Sequence, residues 1–151
     1  MTQVPDSASL LAPVSDLRLI SFRAMSAPDR VLVPFEAERE VPFPIRRVFT
    51  INAGRAGLVG GQHAHRRCQQ LLVCLHGVCE VACIADDPAH PTVIRLDRPD
   101  RGLLVPPTIW AEERYLSAET VLMVFCDQYY DPQDYIRDWA DFARLRGLPE
   151  R

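Results

Sequence analysis

The chain has 151 residues, 48% of them apolar and 25% charged, which suits one soluble domain with a core large enough to fold without disulfides or a structural metal. Its net charge of −3 comes from 17 basic and 20 acidic residues spread along the sequence, so no footprint for nucleic acid is expected. No apolar run approaches the roughly 18 residues of a membrane-spanning helix, and every basic residue is arginine, which excludes Schiff-base, lysine-base and P-loop chemistry.

Residues 1–15, rich in Pro, Ser and Ala, read as a flexible leader, and without an early positive charge before a long apolar run they predict no secretion signal. Five cysteines without a CxxC pair fit a reducing cytoplasm and buried apolar roles. A single domain is expected over 16–146, starting with the alternation at Leu17, Leu19 and Ser21. Thirteen prolines and seven glycines cut the rest into strand-length runs at 31–36, 45–52, 62–75, 78–84, 93–96, 103–105 and 120–127. Their β-branched and aromatic content predicts an all-β sandwich or barrel. At the C-terminal end Asp131 is a good N-cap and Pro132 a good first helical residue. Ile136, Trp139, Ala140, Phe142 and Ala143 then recur at helical spacing, which predicts one helix over about 132–145.

The segment from Gly57 to Gly77 carries the chemistry. His63 and His65 are separated by one residue, so in a strand they project from one face with backbones roughly 7 Å apart and can address neighbouring atoms of one ligand. Gly57, His63, His65, Gln70 and Gly77 resemble the first sequence motif of cupins, in register. In metal-binding cupins the ligands are both histidines, a glutamate after them and a histidine in a second motif; here Gln69 or Gln70 and Ala111 occupy the latter two places. Two neutral imidazoles are too few for a firm site, so no metal and no other cofactor is expected. Imidazoles free of metal suit proton transfer near neutral pH, such as removal of a proton next to a ketone and its return to the adjacent carbon.

The longer stretches Pro42–Phe49, His63–Arg67, Gln70–Gly77, Gly102–Pro107 with Trp110, and Asp127–Arg137 resemble the WxcM/FdtA-type sugar 3,4-ketoisomerases, small RmlC-like cupins. The resemblance implies a cupin (jelly-roll) β-barrel and a homodimer that exchanges N-terminal strands. It implies metal-free movement of a proton between C3 and C4 of dTDP-4-keto-6-deoxyglucose, with His63 and His65 the matching catalytic positions. Arg46 and Arg47 are candidates for the diphosphate, since guanidinium pairs well with phosphate oxygens, although alternation along a strand turns at most one of them inward. Gln62, Arg67, Gln69, Trp110 and Tyr130 complete the expected substrate-binding set, Trp110 and Trp139 having apolar neighbours that also suit packing. His76 and His90 read as loop residues.

Three positions depart from the family pattern. Thr50 replaces an expected catalytic tyrosine, Gly60 an arginine and Ala111 the second-motif histidine, so the substrate and regiochemistry differ, with Gln62, Gln69 or Glu112 compensating, or the reaction is lost. A non-catalytic nucleotide-sugar-binding cupin is the alternative expectation, and a metal-dependent oxygenase the least favoured.

Overall fold

The computed structural model describes residues 11–150. Alternation appears in it wherever a strand has one face in water. In β4 (Arg47–Asn52) half-buried and exposed residues alternate, so Phe49 and Ile51 pack into the interior while Thr50 lies outside. In β6 (Gln70–His76) the first five residues are all buried. An unbroken apolar run of this kind marks a strand covered on both faces. Leu72 and Cys74 enter the main core, whereas Leu71 and Val73 meet Phe22, Val41 and Phe43 from the preceding chain.

Two five-stranded antiparallel sheets result. The first runs β1 (Arg18–Ser21), β9 (Arg101–Val105), β6, β11 (Val121–Cys126), β4. The second runs β12 (Tyr135–Ile136), β5 (Leu58–His65), β10 (Trp110–Tyr115), β7 (Cys79–Ile84), β8 (Thr92–Leu96). They face each other across Leu72, Val81, Leu96, Leu103, Tyr115 and Leu122. The expected all-β fold is therefore present, its barrel formed by two facing sheets without a continuous hydrogen-bonded ladder among the described residues. A separate hairpin, β2 (Met25–Ala27) and β3 (Arg30–Leu32), leaves every residue exposed. No helix is long and apolar enough to cross a membrane among the described residues.

The C-terminal helix is present but shorter than expected: α1 spans Trp139–Arg146, with Asp138 accepting from the Ala140 N–H at 2.7 Å and Gly147 ending it at φ 68°. Asp131 instead caps a 3-10 turn, Pro132–Asp134, through the Gln133 N–H. The chain leaves helical geometry there because Tyr135 and Ile136 pair with His65 and Ala64 on β5. The run at 62–75 divides at a bend carrying Arg66–Gln69, since the chain must cross from one sheet to the other. Strand β10 lies outside every expected run, its apolar signal broken by Glu112, Glu113 and Arg114.

Residues 1–10 of the expected leader lie outside the described residues. Its later part is tied down: the Ala12 N–H donates to Thr108 Oγ1 at 2.9 Å, and Arg146 Nη1 donates to the carbonyls of Ala12 and Thr108. The second guanidinium nitrogen, Nη2, pairs with Asp86 at 2.7 Å.

The turn after β6 depends on Gly77, at φ 73°, where an added Cβ would stand 2.6 Å from Thr120 Oγ1 and 2.8 Å from Thr120 Cα. Gly77→Ala combines left-handed strain with a backbone clash. It should lower stability by about 1–2 kcal/mol or more, a fall of roughly 2–8 °C in thermal denaturation.

Candidate active site

A bulge places the histidines. The β5–β10 register shifts between Ala111 and Glu112, opposite a β5 segment in which Gly61 and Gln62 adopt φ 70° and 56°. The extra residue turns Gln62 out to solvent, and a glycine at 61 is needed because a Cβ there would lie 2.9 Å from the Ala111 carbonyl oxygen. His63 and His65 follow with ring centroids 5.0 Å apart at 85°.

Each ring is held through Nδ1. His63 Nδ1 lies 3.0 Å from the Gly61 carbonyl oxygen, and His65 Nδ1 lies 3.0 Å from Asp134 Oδ2. Both partners are acceptors, which assigns the proton to Nδ1 in each ring and leaves Nε2 with its lone pair. His65 is 6% exposed and its Nε2 has no partner among the described residues. Burial lowers the His63 pKa, against the pull of the Gly61 carbonyl. Burial and the neighbouring His63 push His65 down to about 4, even with Asp134 beside it. Both rings are therefore neutral bases at pH 7.

Asp134 sits where the 3-10 turn meets β12. Burial alone would raise its pKa, but His65 and the Cys68 and Arg67 amides outweigh that and hold it below the ordinary carboxylate value. Its Oδ1 accepts from the Arg67 N–H at 2.8 Å and its Oδ2 from the Cys68 N–H at 3.2 Å. His65, Cys68 and Asp134 stand close enough to share an ion, their candidate ligand atoms lying within 4.8 Å of one another. The donors do not fit one: Asp134 is committed to N–H groups, and the free Cys68 thiol, which donates to the Gln69 carbonyl at 3.5 Å, is held strongly protonated by the neighbouring Cys126 thiol and by burial.

Aromatic and guanidinium groups close one side. Tyr135, opposite His65 in the ladder, packs its ring 4.4 Å from His65 and 5.0 Å from His63. Arg47 Nη1 donates to the Tyr135 hydroxyl at 3.1 Å, with its guanidinium carbon 4.9 Å from the Tyr130 ring and 4.5 Å from that of Phe49. Arg137 lies 4.1 Å over Tyr135. Of the two paired arginines, Arg47 joins the histidines, while the exposed Arg46 packs against Tyr129 outside. Exposed Tyr130 stands at the edge of this cluster, 5.7 Å from Tyr135.

The remaining expected residues lie elsewhere. Arg67 pairs with Asp131 at 3.0 Å and braces Asp134 from outside. Gln69 is half-buried, its N–H bound to Asp127. Trp110 is buried under α1 against Trp139 and Phe142, on the outer face of the sheet, which corrects its assignment to the substrate-binding set. Thr50 also lies outside, its Cα partner Met123 belonging to the outer cluster, so of the three departures only Gly60 and Ala111 face the interior. Of the three expected compensating groups, Gln62 is exposed and Glu112 accepts from the Trp110 indole, while half-buried Gln69 gives its backbone N–H to Asp127. The inward acid is Glu113, which sequence reasoning missed; period-two alternation through Ala111 and Tyr115 marks it.

A family model described as "WxcM-like, C-terminal", named FdtA, matches residues 15–147. The chain is 38% identical over 127 residues to a TDP-4-oxo-6-deoxy-alpha-D-glucose-3,4-oxoisomerase of Aneurinibacillus thermoaerophilus, covering 84% of this chain and 90% of that one. Among solved structures, the sugar 3,4-ketoisomerase QdtA of Thermoanaerobacterium thermosaccharolyticum, in complex with TDP, superposes with a TM-score of 0.83 at 29% identity, over 89% of this chain and 97% of that chain. The RmlC epimerase of Mycobacterium tuberculosis shares the fold at a TM-score of 0.68 and 16% identity, over 82% of this chain and 69% of that chain. The interior histidine pair and the arginine–tyrosine wall beside it thus stand in a chain that belongs to the FdtA, or WxcM-like C-terminal, family.

Proposed function

We propose that this protein is a metal-independent 3,4-ketoisomerase of a dTDP-linked 4-keto-6-deoxy sugar. The observation that carries the reading is the pair of neutral imidazoles with both Nδ1 atoms pinned and both Nε2 lone pairs free for a ligand. One Nε2 removes the proton from C3, giving an enediol as the C4 oxygen is protonated. Return of a proton to C4 and loss of the C3 hydroxyl proton then leave the ketone at C3, so no redox partner is consumed. His65 is the better carbon base, because the Asp134 carboxylate stabilises its imidazolium as the proton arrives; His63 serves the oxygens. Arg47 supplies charge for the diphosphate and Tyr130 an exposed face for the nucleotide, with no step that calls for a cofactor.

The same reading carries a homodimer with exchanged N-terminal strands. Its support is the β2–β3 hairpin, where Met25, Val31 and Leu32 are 43%, 59% and 51% exposed, beside Leu19 on β1 at 46%. Exposed apolar surface of this kind on a separate two-stranded ribbon suits burial against a second copy. A cytoplasmic location accords with five buried, unpaired cysteines.

In D₂O with dTDP-4-keto-6-deoxyglucose, proton NMR should record deuterium entering C3 and appearance of the 3-keto product. His65→Asn should abolish both while TDP still binds; turnover at the parental rate would sink the assignment. A parent that binds the sugar nucleotide without exchange is a binding protein only.

The depressed histidine pKa values fix the sign of the pH dependence. Protonation removes the base, so the acid limb of kcat/KM should fall below pH 6.5 and activity should persist at pH 6. Asp134→Asn offers His65 an N–H donor, reverses its tautomer and should lower kcat by roughly 10²- to 10⁴-fold without loss of TDP affinity.

The hairpin makes a mass prediction. Light scattering should give twice the chain mass, and Val31→Asp with Leu32→Asp should shift it to one.

A further inference from the structure

The interior holds a second chemical feature beyond the histidines. Glu113 on β10 is 7% exposed, and its carboxyl meets no hydrogen-bond or ion-pair partner among the described residues. It lies against the glycine pair of β5: a Cβ on Gly60 would stand 3.4 Å from Glu113 Oε2, and one on Gly61 2.7 Å. The Tyr115 hydroxyl, on the same side of the same strand, is also buried without a partner. Hydrocarbon of equal volume would fill this place at no loss of stability, so the fold has no need of the acid.

Position gives these groups a use. Ala111 is the Cα partner of His63, and Glu113 is two residues further along β10 on the same face, roughly 7 Å away. Between them the facing strand offers Gly60, without a side chain, and β10 offers only the Ala111 methyl. A pyranose ring held with its reacting carbons at the histidines therefore directs its far substituents toward Glu113 and Tyr115.

We propose that Glu113 and Tyr115 form the sugar-reading end of the active site, the carboxylic acid and the phenol hydrogen-bonding hydroxyl oxygens on the part of the hexopyranose remote from the carbons that exchange protons. The inference rests on the isomerase reading and names what selects the sugar within it. A neutral carboxyl both donates and accepts, which suits a hydroxyl group, whereas a carboxylate only accepts. Burial pushes Glu113 up to about 7, so it is largely protonated in mildly acidic solution. Its titratable neighbours are Tyr115 on its own strand and Cys79 and Cys83 on β7. All three are pushed upward, Cys83 to about 12, while β5 sets Gly60 and Gly61 against the acid and, further along the same face, His63, which burial holds below its ordinary pKa. Glu113 is thus the group in this corner that titrates near neutrality.

The test compares TDP with TDP-4-keto-6-deoxyglucose by calorimetry on the intact protein, alongside KM and kcat. Glu113→Met should leave TDP affinity within twofold and thermal stability equal or higher, but weaken sugar-nucleotide binding and raise KM at least tenfold. Glu113→Gln, which keeps a donor and an acceptor, should stay within threefold of the parent, and Tyr115→Phe should show a smaller loss than Glu113→Met. The advantage of the sugar nucleotide over TDP should shrink between pH 6 and 8.5 in the parent and stay constant in Glu113→Gln. Unchanged sugar binding and KM in Glu113→Met would overturn the inference, as would a parent that binds both ligands equally. Selective sugar binding that Glu113→Met removes, in a parent without C3 exchange, would uphold this subsite while ending the isomerase reading.

Discussion

The Asp134 carboxylate joins three parts of the chain that are distant in sequence. It fixes the tautomer of His65, holds the bend after β5 through the Arg67 and Cys68 amides, and anchors the turn from which β12 departs. Each of these contacts is a charge-assisted bond in a buried setting, where an unpaired partner would be costly. Geometry at the histidines and closure of the sheet edge are thereby one event. Tyr135 reaches both imidazoles only because Asp134, its neighbour in sequence, has already brought β12 to β5.

Burial and pinning divide the work in the histidine pair. Desolvation keeps both rings uncharged, which a base requires, and the acceptors on Nδ1 decide which nitrogen is basic. An exposed His-x-His pair would share the spacing without either property. The same logic accounts for the cluster of His65, Cys68 and Asp134, where proximity alone resembles an ion site but every oxygen of the carboxylate already meets a donor.

Much of this was legible in the sequence. The two histidines announced themselves by spacing, and strand-length runs rich in β-branched and aromatic residues between prolines and glycines announced an all-β sandwich or barrel. What stayed hidden has physical causes. The aspartate of the dyad lies 69 residues from its histidine, and no local pattern reports a pairing over that distance. Strand β10 carries three charges in a row, which masks both its extended geometry and the inward turn of Glu113. Asp131 and Pro132 start a helical turn as their types dictate, but the ladder with β5 claims the next residues. Trp110 resembles a stacking platform until α1 is seen lying over it.

One guanidinium near the end of the chain reaches the carbonyls of Ala12 and Thr108 and the carboxylate of Asp86. The first described residues, the approach to β10 and the loop between β7 and β8 are thus bolted together by a side chain that is itself 2% exposed. The first and last described segments share one fastening, so shortening the protein before Arg146 releases the chain at Ala12 as well as the C-terminal helix.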